Sequence, residues 1–121
     1  MATNTAYSAA QSQAIDAPQA AQGYITYPST SIIATDYTVI AIGFLPRYVV
    51  WENVTDRIKG EWFEGMAANS CIKTIADGTR SLEVTGVNGG LTVSATGFSV
   101  LQNDTLALLK ASKVVAWRAE G

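Results

Sequence analysis

The stretch from Arg47 to Gly65, RYVVWENVTDRIKGEWFEG, constrains the fold of this chain more than any other. Two runs rich in Val, Ile, Trp, Tyr and Phe flank a polar segment at 53–56, which predicts a β-hairpin with its turn there. Pairing the runs about this turn gives an apolar face of Val49, Trp51, Ile58, Gly60 and Trp62. The opposite face carries Tyr48, Val50, Glu52, Arg57, Lys59, Glu61 and Phe63. We therefore expect a half-buried antiparallel sheet whose two buried tryptophans lie at the centre of the core.

The size and charge of the chain limit its class. With 121 residues it is long enough for one domain with a hydrophobic core. Only 15% of the residues are charged, against about a quarter in a typical domain, which favours either a surface partly covered by other chains or a large β core. The net charge of −2 argues against binding to nucleic acid or an anionic membrane. Neither a membrane-spanning run nor a secretory signal is recognisable, so we expect assembly in a reducing cytoplasm.

The first 22 residues, MATNTAYSAAQSQAIDAPQAAQ, differ in composition from the remainder. Ala, Gln, Ser and Thr dominate, and Asp16 is the only charged residue among them. This composition is typical of a flexible N-terminal arm. We expect the arm, residues 1–22, to be held by a neighbouring chain. The alternative is an arm packed on its own domain, residues 23–121.

Short runs of β-forming residues continue through residues 23–121. Besides the hairpin, strands are predicted at 23–27, 37–44, 70–76, 80–85, 91–93, 97–101, 105–109 and 113–119. The dipeptide Asp77-Gly78 predicts a second hairpin turn. In this hairpin Lys73 and Arg80 would share a side with Ile75, Leu82 and Val84. An irregular or helical structure for part of 66–76 is the alternative. Short strands separated by Gly, Asn and Asp predict an all-β fold, an antiparallel β-sandwich that is jelly-roll-like.

Motifs for catalysis and for cofactor or metal binding are absent from the sequence. There is no histidine, which removes Ser-His and Cys-His nucleophile systems and the commonest metal ligand. The single Cys71 cannot make a cysteine-based zinc site, and we expect it to be a small buried hydrophobe. No glycine-rich nucleotide-binding motif and no calcium loop occurs. We therefore predict a protein that is not an enzyme and has no catalytic, cofactor or metal site.

Three groups of residues admit a functional alternative. Glu52, Glu61 and Glu64 form a potential set of paired carboxylates, but cross-strand ion pairs with the interleaved Arg47, Arg57 and Lys59 are the favoured interpretation. The glycosylation sequons at 53–55 and 103–105 are interpreted as turn chemistry. Six aromatic residues could form a sugar-binding platform, although core or interface positions are favoured: Tyr24, Tyr27, Tyr48, Trp51, Trp62 and Trp117.

Several segments, taken in order, resemble those of small virion proteins of tailed bacteriophages. They are Gly43-Phe44-Leu45-Pro46, Trp51 to Asp56, Glu61-Trp62-Phe63-Glu64-Gly65-Met66, Gly90 to Val93, Gly97 to Val100 and Val114 to Ala119. The resemblance covers residues 40–120 and leaves the arm outside. The chain departs from the pattern at 110–112, where Lys-Ala-Ser stands in place of an Asn or Gly turn.

This resemblance implies a non-enzymatic structural virion protein. It implies a bacteriophage capsid decoration or cement subunit that oligomerises, as a homotrimer or homodimer, and clamps the major capsid protein. An extended arm of 22 residues can span up to roughly 70 Å, enough to reach a neighbouring subunit. Such a protein assembles in the host cytoplasm. The alternative is a tail or fibre component that acts as a carbohydrate-binding module, and a hydrolase is disfavoured because histidine is absent.

Overall fold

The computed structural model describes residues 19–29, 33, 35–84, 89–102, 106 and 112–121. Within these residues there are nine strands and no α-helix. The strands are β1 (Ala20–Thr26), β2 (Tyr37–Ala41), β3 (Tyr48–Asn53), β4 (Ile58–Phe63), β5 (Cys71–Thr74), β6 (Arg80–Glu83), β7 (Leu91–Ser94), β8 (Gly97–Leu101) and β9 (Val114–Glu120). The predicted all-β class is confirmed.

The strands form two antiparallel sheets that pack against each other as a sandwich. The large sheet has the order β1-β9-β3-β4-β5-β6, and the small sheet has the order β2-β8-β7. Trp51 of the large sheet meets Phe98 of the small sheet edge-to-face, with ring centroids 6.1 Å apart. The nested pairing of β1 with β9 and of β2 with β8 is the jelly-roll-like part of the topology. Strands β3 to β6 instead follow one another as a meander.

The central hairpin has the predicted faces. Val49 is paired with Trp62, and Trp51 with Gly60. Trp51 is fully buried and Trp62 is 6% exposed, which confirms both as core residues. The turn falls one residue later than predicted, at 54–57, and Arg57 lies in it with φ 59° instead of on a strand face.

The side chain of Asn53 explains the shift of the turn. It is fully buried, and its Oδ1 accepts a hydrogen bond from the backbone N–H of Asp56 at 3.0 Å. Such a bond closes a turn through the Asn side chain and keeps Asn53 itself in β3. The first sequon is therefore turn chemistry, as predicted, and its Asn53 Nδ2 donates to the carbonyl oxygen of Leu106 at 3.2 Å. The second sequon, at 103–105, lies outside the described residues.

The core lies between the two sheets. Its buried apolar members are Tyr27, Val49, Trp51, Trp62, Cys71, Leu91, Phe98, Val100, Leu106, Val115 and Ala119. Gly60 is the small residue on this face: a Cβ there would lie 2.9 Å from the side chain of Leu106 and 3.3 Å from the sulfur of Cys71. The missing side chain makes room for Leu106 to reach the centre of β4.

Several strand boundaries differ from the predicted ones. β1 starts at Ala20, so the last residues of the predicted arm already pair with β9, while residues 1–18 lie outside the described residues. β2 ends at Ala41, because Gly43 takes φ 83° and turns the chain. Of the strand predicted at 105–109 only Leu106 is described, and it is not in a strand. Before β9, Ser112 adopts φ 65°, a conformation that Asn or Gly takes more readily.

The second hairpin is confirmed, but its predicted faces are wrong. Ile72 is paired with Leu82, and Lys73 with Ser81, so Lys73 does not share a side with Leu82. Hydrogen bonds from Ile75 N to Thr79 O (3.0 Å) and from Gly78 N to Ile75 O (2.8 Å) close a loop one residue longer than the Asp77-Gly78 dipeptide. A register change of one residue moves every side chain of a strand to the other face.

A partly buried ion pair joins the β3–β4 turn to the chain before β9. Lys113 Nζ lies 2.7 Å from both carboxylate oxygens of Asp56, and the Lys113 side chain is only 11% exposed. Beside it, the backbone N–H of Val114 donates to Thr55 Oγ1 at 2.9 Å. Removing the Asp56 carboxylate would leave a nearly buried ammonium group without this anion.

We therefore expect Asp56→Ala to lower the free energy of unfolding by about 1–2 kcal/mol. This is less than the about 3–5 kcal/mol for breaking a fully buried ion pair, because water reaches the Asp56 carboxylate. Glu64→Ala is the matched control, because it breaks an exposed ion pair with Arg47 and should change stability by less than about 0.5 kcal/mol. Urea denaturation measures both. The double variant Asp56→Ala/Lys113→Met should lose less than the sum of the two single changes, and strict additivity would contradict the coupling.

Candidate functional site

The outer face of the large sheet, away from the core, was predicted to be charged around its middle. The register places Gln22, Arg118, Val50 and Glu61 in one row across four strands, and Tyr24, Ala116, Glu52 and Lys59 in another. Tyr48, Phe63 and Glu120 form a third row near the chain end of β9. This face has no covering layer within the described residues. It is the first candidate surface for function.

The three glutamates are held in ion pairs and hydrogen bonds. Glu61 accepts a hydrogen bond from the Tyr48 hydroxyl at 2.9 Å and lies 3.8 Å from Lys59 and 3.9 Å from Arg80. Glu64 binds Arg47 at 3.0 Å. Glu52 stands opposite Lys59 in the register of the hairpin. The predicted cross-strand ion pair is confirmed for Glu64 with Arg47. Glu61 is also held in ion pairs, but with Lys59 of its own strand and with Arg80 of β6.

The aromatic residues do not form one platform. Tyr27, Trp51 and Trp62 are buried in the core, and Trp117 faces inward, 5.6 Å from the ring of Phe98. Only Tyr24 and Tyr48 lie on the outer face. β9 separates their strands, and their register positions differ by four residues, which is about 13 Å along the strands and about 10 Å across them. They are too far apart to bind one sugar ring together.

A shallow cleft lies where Tyr48 and Phe63 meet. Their ring centroids are 5.1 Å apart, with the planes tilted by 52°. The cleft has a volume of about 360 Å³, and its other lining residues are Arg47, Glu64, Glu120 and Gly121. Burial, then the hydrogen bond to Glu61 and the charges of Glu61 and Glu120, raise the pKa of the Tyr48 phenol to about 12. The phenol therefore stays a neutral hydrogen-bond donor at physiological pH.

Cys71 is fully buried, as predicted. Burial, with a smaller contribution from the charge of Glu83, raises the pKa of its thiol to about 12. The thiolate, which is the nucleophile and the metal ligand, is therefore scarce at neutral pH. Among the described residues, no three His, Cys, Asp or Glu side chains are grouped so that they could hold a metal ion.

Two strand edges that have no partner strand among the described residues form the second candidate surface, which sequence reasoning missed. At one side of the sandwich the sheets are joined, because Ser70 before β5 forms a bridge with Leu91 of β7. At the other side β1 and β2 end their sheets, linked by the Tyr27 hydroxyl, which lies 2.7 Å from Thr38 Oγ1. Of the large apolar side chains in the described part of the chain, the two most exposed, Tyr24 (76%) and Val39 (72%), lie on these two strands.

The sequence carried a signal for these edges. Strands β1 (AAQGYIT) and β2 (YTVIA) contain no charged residue and no proline, which are the residues that commonly protect an edge from pairing. Which strands lie at an edge, however, depends on the strand order of the folded sheets. The outer side of the small sheet is also without charge, with Tyr37, Val39, Ala41 and their β8 partners Leu101, Ser99 and Gly97.

In the described part of the chain, no helix is long and apolar enough to cross a membrane. No protein-family model, curated protein or solved structure matches the sequence or the fold.

Proposed function

We propose that this chain is a non-enzymatic structural protein of a virion, a capsid decoration or cement subunit that self-associates and clamps neighbouring capsid proteins. The observation that carries the proposal is the exposure of Tyr24 and Val39 on uncharged strands at one side of the sandwich. Soluble monomers usually shorten, charge or cover such edges. The surface suits other protein chains better than it suits a small substrate.

The polar side chains of the hairpin support a structural role. Glu61 and Glu64 are engaged with basic partners, and Asp56 with Lys113. Carboxylates held in this way stabilise a sheet and its turns, whereas a general acid or base needs access to a substrate. The resemblance of residues 40–120 to small phage virion proteins points to the same role.

The clamp would use the N-terminal residues that precede β1. Residues 1–18 could extend by up to roughly 60 Å. Their Ala, Gln, Ser and Thr side chains bury little apolar area but can hydrogen-bond along a groove or a sheet edge. Fixing the backbone of a chain segment costs about 1–2 kcal/mol per residue. Contacts with a capsid protein would have to offset this cost.

The test is to delete residues 2–18, stopping short of Ala20–Gln22 because these belong to β1. We expect the free protein to unfold at an unchanged temperature, since this deletion leaves the described core intact. Retention on purified capsids should fall at least about tenfold, which corresponds to about 1.4 kcal/mol. A chain with residues 2–18 replaced by Gly and Ser is the control for length. A truncated protein that unfolds early, or that binds capsids as firmly as the full chain, contradicts the proposal.

A carbohydrate-binding module of a phage tail or fibre is the second candidate, favoured by the cleft at Tyr48 and Phe63. Aromatic faces beside Arg47 and Glu120 offer both stacking and hydrogen bonds to a sugar. Glycan-array binding that is lost on Tyr48→Ala and on Phe63→Ala would favour this candidate.

A separate measurement tests the non-enzymatic proposal. If the protein turned over a glycan, and if neutral substitution of Glu52, Glu61 or Glu64 abolished that turnover, the proposal would be overturned.

A further inference from the structure

Strand β1 ends the large sheet, and among the described residues no second strand pairs with its outer edge. Along its other edge β1 pairs with β9 from Ala20 to Thr26 in one continuous register without a bulge. Flanking bonds run from Tyr27 N to Lys113 O and from Gly121 N to Gln19 O, both 2.8 Å long. These two bonds show that the odd-numbered residues of β1 form the hydrogen-bonded pairs with β9. The backbone N–H and C=O groups of the even-numbered residues therefore point away from β9, toward the open edge.

Strand β1 lacks the features that protect other edges of this fold. At the far end of the same sheet, β6 is four residues long and carries Arg80 and Glu83. In the small sheet, β7 is bridged to Ser70. β1 is seven residues long, uncharged and free of proline. At Gly23, the weakest position for a strand, the ring of its partner Trp117 lies where a side chain would be, 2.8 Å from the position of a Cβ.

Strand β1 can pair with β1 of a second copy in an antiparallel arrangement. With Gly23 on a two-fold axis, Ala20 faces Thr26 of the second copy, and Gln22 faces its Tyr24. All four residues with outward-pointing backbone groups then meet one another as hydrogen-bonded pairs, and each such pair makes two bonds. No other two-fold register pairs all four, because any shift leaves an end residue without a partner.

The outer-face side chains are also compatible with this arrangement. The row Arg118–Gln22 of one copy continues into Tyr24–Ala116 of the other. The exposed Tyr24 ring then approaches the Arg118 guanidinium across Gln22, a favourable cation–aromatic combination. An isologous interface brings each side chain near the axis close to its own copy, so a charge there would repel itself. Strand β1 carries no charged residue.

We infer that two copies of this chain associate through their β1 strands, antiparallel about a two-fold axis at Gly23, so that their large sheets become one continuous sheet. A second copy is the occupant because this register pairs all four outward-pointing residues, brings Tyr24 near Arg118 of the other copy, and places no charged side chain of β1 against its own copy. One strand pair is a small interface, so we expect a dissociation constant on the order of 10 µM. The inference specifies the self-association in the proposed function, but it does not depend on binding to a capsid.

The experiment is sedimentation velocity of the full-length protein across the micromolar range. Wild type should show a reversible monomer–dimer equilibrium.

Three variants test the strand assignment. Gln22→Pro removes an N–H that points to the outer edge of β1 and leaves the bonds to β9 in place. It should weaken the dimer at least tenfold, with Gln22→Ala as the matched control. Tyr24→Lys, at a side chain that is 76% exposed, should also weaken the dimer, because it places a cation near Arg118 of the other copy. Val39→Lys, on the edge strand β2, should leave dimerisation unchanged.

The outcomes separate the alternatives. A protein that stays monomeric, that forms a trimer, or whose dimer withstands both Gln22→Pro and Tyr24→Lys overturns the inference. Loss of the dimer on Val39→Lys alone assigns the interface to β2 and also overturns it. A full chain that is monomeric but dimerises once residues 2–18 are deleted would also overturn the inference, because its own N-terminal segment would then be the occupant of the β1 edge. Capsid retention is a separate measurement, so this inference and the proposed function can fail independently.

Discussion

Replacing Trp51 with Ala should lower the free energy of unfolding by about 3–5 kcal/mol. Trp51 is fully buried at the centre of the large sheet, where its ring meets Phe98 of the small sheet edge-to-face. The substitution removes the largest fully buried side chain of the described residues and leaves a cavity that two stiff sheets cannot collapse to fill. For a chain of this size each kcal/mol lowers the melting temperature by roughly 4 °C, so the loss is visible in a simple thermal scan.

Trp62→Ala should be destabilising to a similar extent. Trp62 lies on the same inner face, and its Nε1 donates to the carbonyl oxygen of Ala67 at 3.1 Å, which holds the segment after β4. Leu82→Ala is the control, because Leu82 is a large apolar residue that is 65% exposed and should change stability by less than about 0.5 kcal/mol. If both tryptophan variants melted within a degree or two of wild type, the assignment of the inner face would be wrong.

Gly97→Ala should destabilise the small sheet by about 3 kcal/mol, through overlap with the backbone. A Cβ at Gly97 would overlap the carbonyl oxygen of Ile40, and it would lie 3.2 Å from the Cα of Ala41. These atoms belong to β2, the strand that pairs directly with β8. Backbone atoms cannot rotate away as a flexible side chain can, so β2 must move. Since β2 is an edge strand, we expect it to separate from β8 while the large sheet stays folded.

Hydrogen exchange distinguishes this local effect from global unfolding. The bonds from Ile42 N to Thr96 O and from Gln102 N to Asp36 O place the even-numbered residues of β2 in hydrogen-bonded pairs with β8. In Gly97→Ala the amides of Thr38 and Ile40 should lose protection, while the amide of Val49 in β3 keeps it. Thr96→Ala is the control, because the Thr96 side chain is exposed and its carbonyl is retained. Equal loss of protection at Val49 would contradict a local effect.

The central hairpin shows what can be predicted from a sequence of this kind. Alternation of apolar and polar residues over two adjacent runs assigned Val49, Trp51 and Trp62 to one face, and the register confirms it. The second hairpin shows the limit of the method. Its loop is one residue longer than the Asp77-Gly78 dipeptide indicated, and the single added residue moves Arg80 and Leu82 to the side opposite Lys73. Weakly amphipathic strands give no independent check on the register.

The candidate surfaces were less predictable than the core. Residue type alone left a platform of six aromatic residues as the alternative to the favoured core or interface positions. Three of the six, Tyr27, Trp51 and Trp62, are core residues, and only Tyr24 and Tyr48 lie on the outer face. The cleft beside Tyr48 depends on its contact with Phe63 across the hairpin, together with Glu120 from β9. Glu120 is far from both in the chain, so no local pattern indicates that it lines the same cleft.

The sequence by itself determined the all-β class, the inner face of the central hairpin and the buried state of Cys71. Each of these follows from local alternation, composition or the intrinsic preference of a side chain for burial. The tertiary structure alone decided that β1 pairs with β9, that Leu106 fills the space left by Gly60, and that β1 and β2 end their sheets on the same side. These relations join residues far apart in the chain. They are set by which arrangement of strands buries Trp51, Phe98 and their neighbours between two sheets. The outer edges of β1 and β2 are those that this arrangement leaves without a partner among the nine described strands.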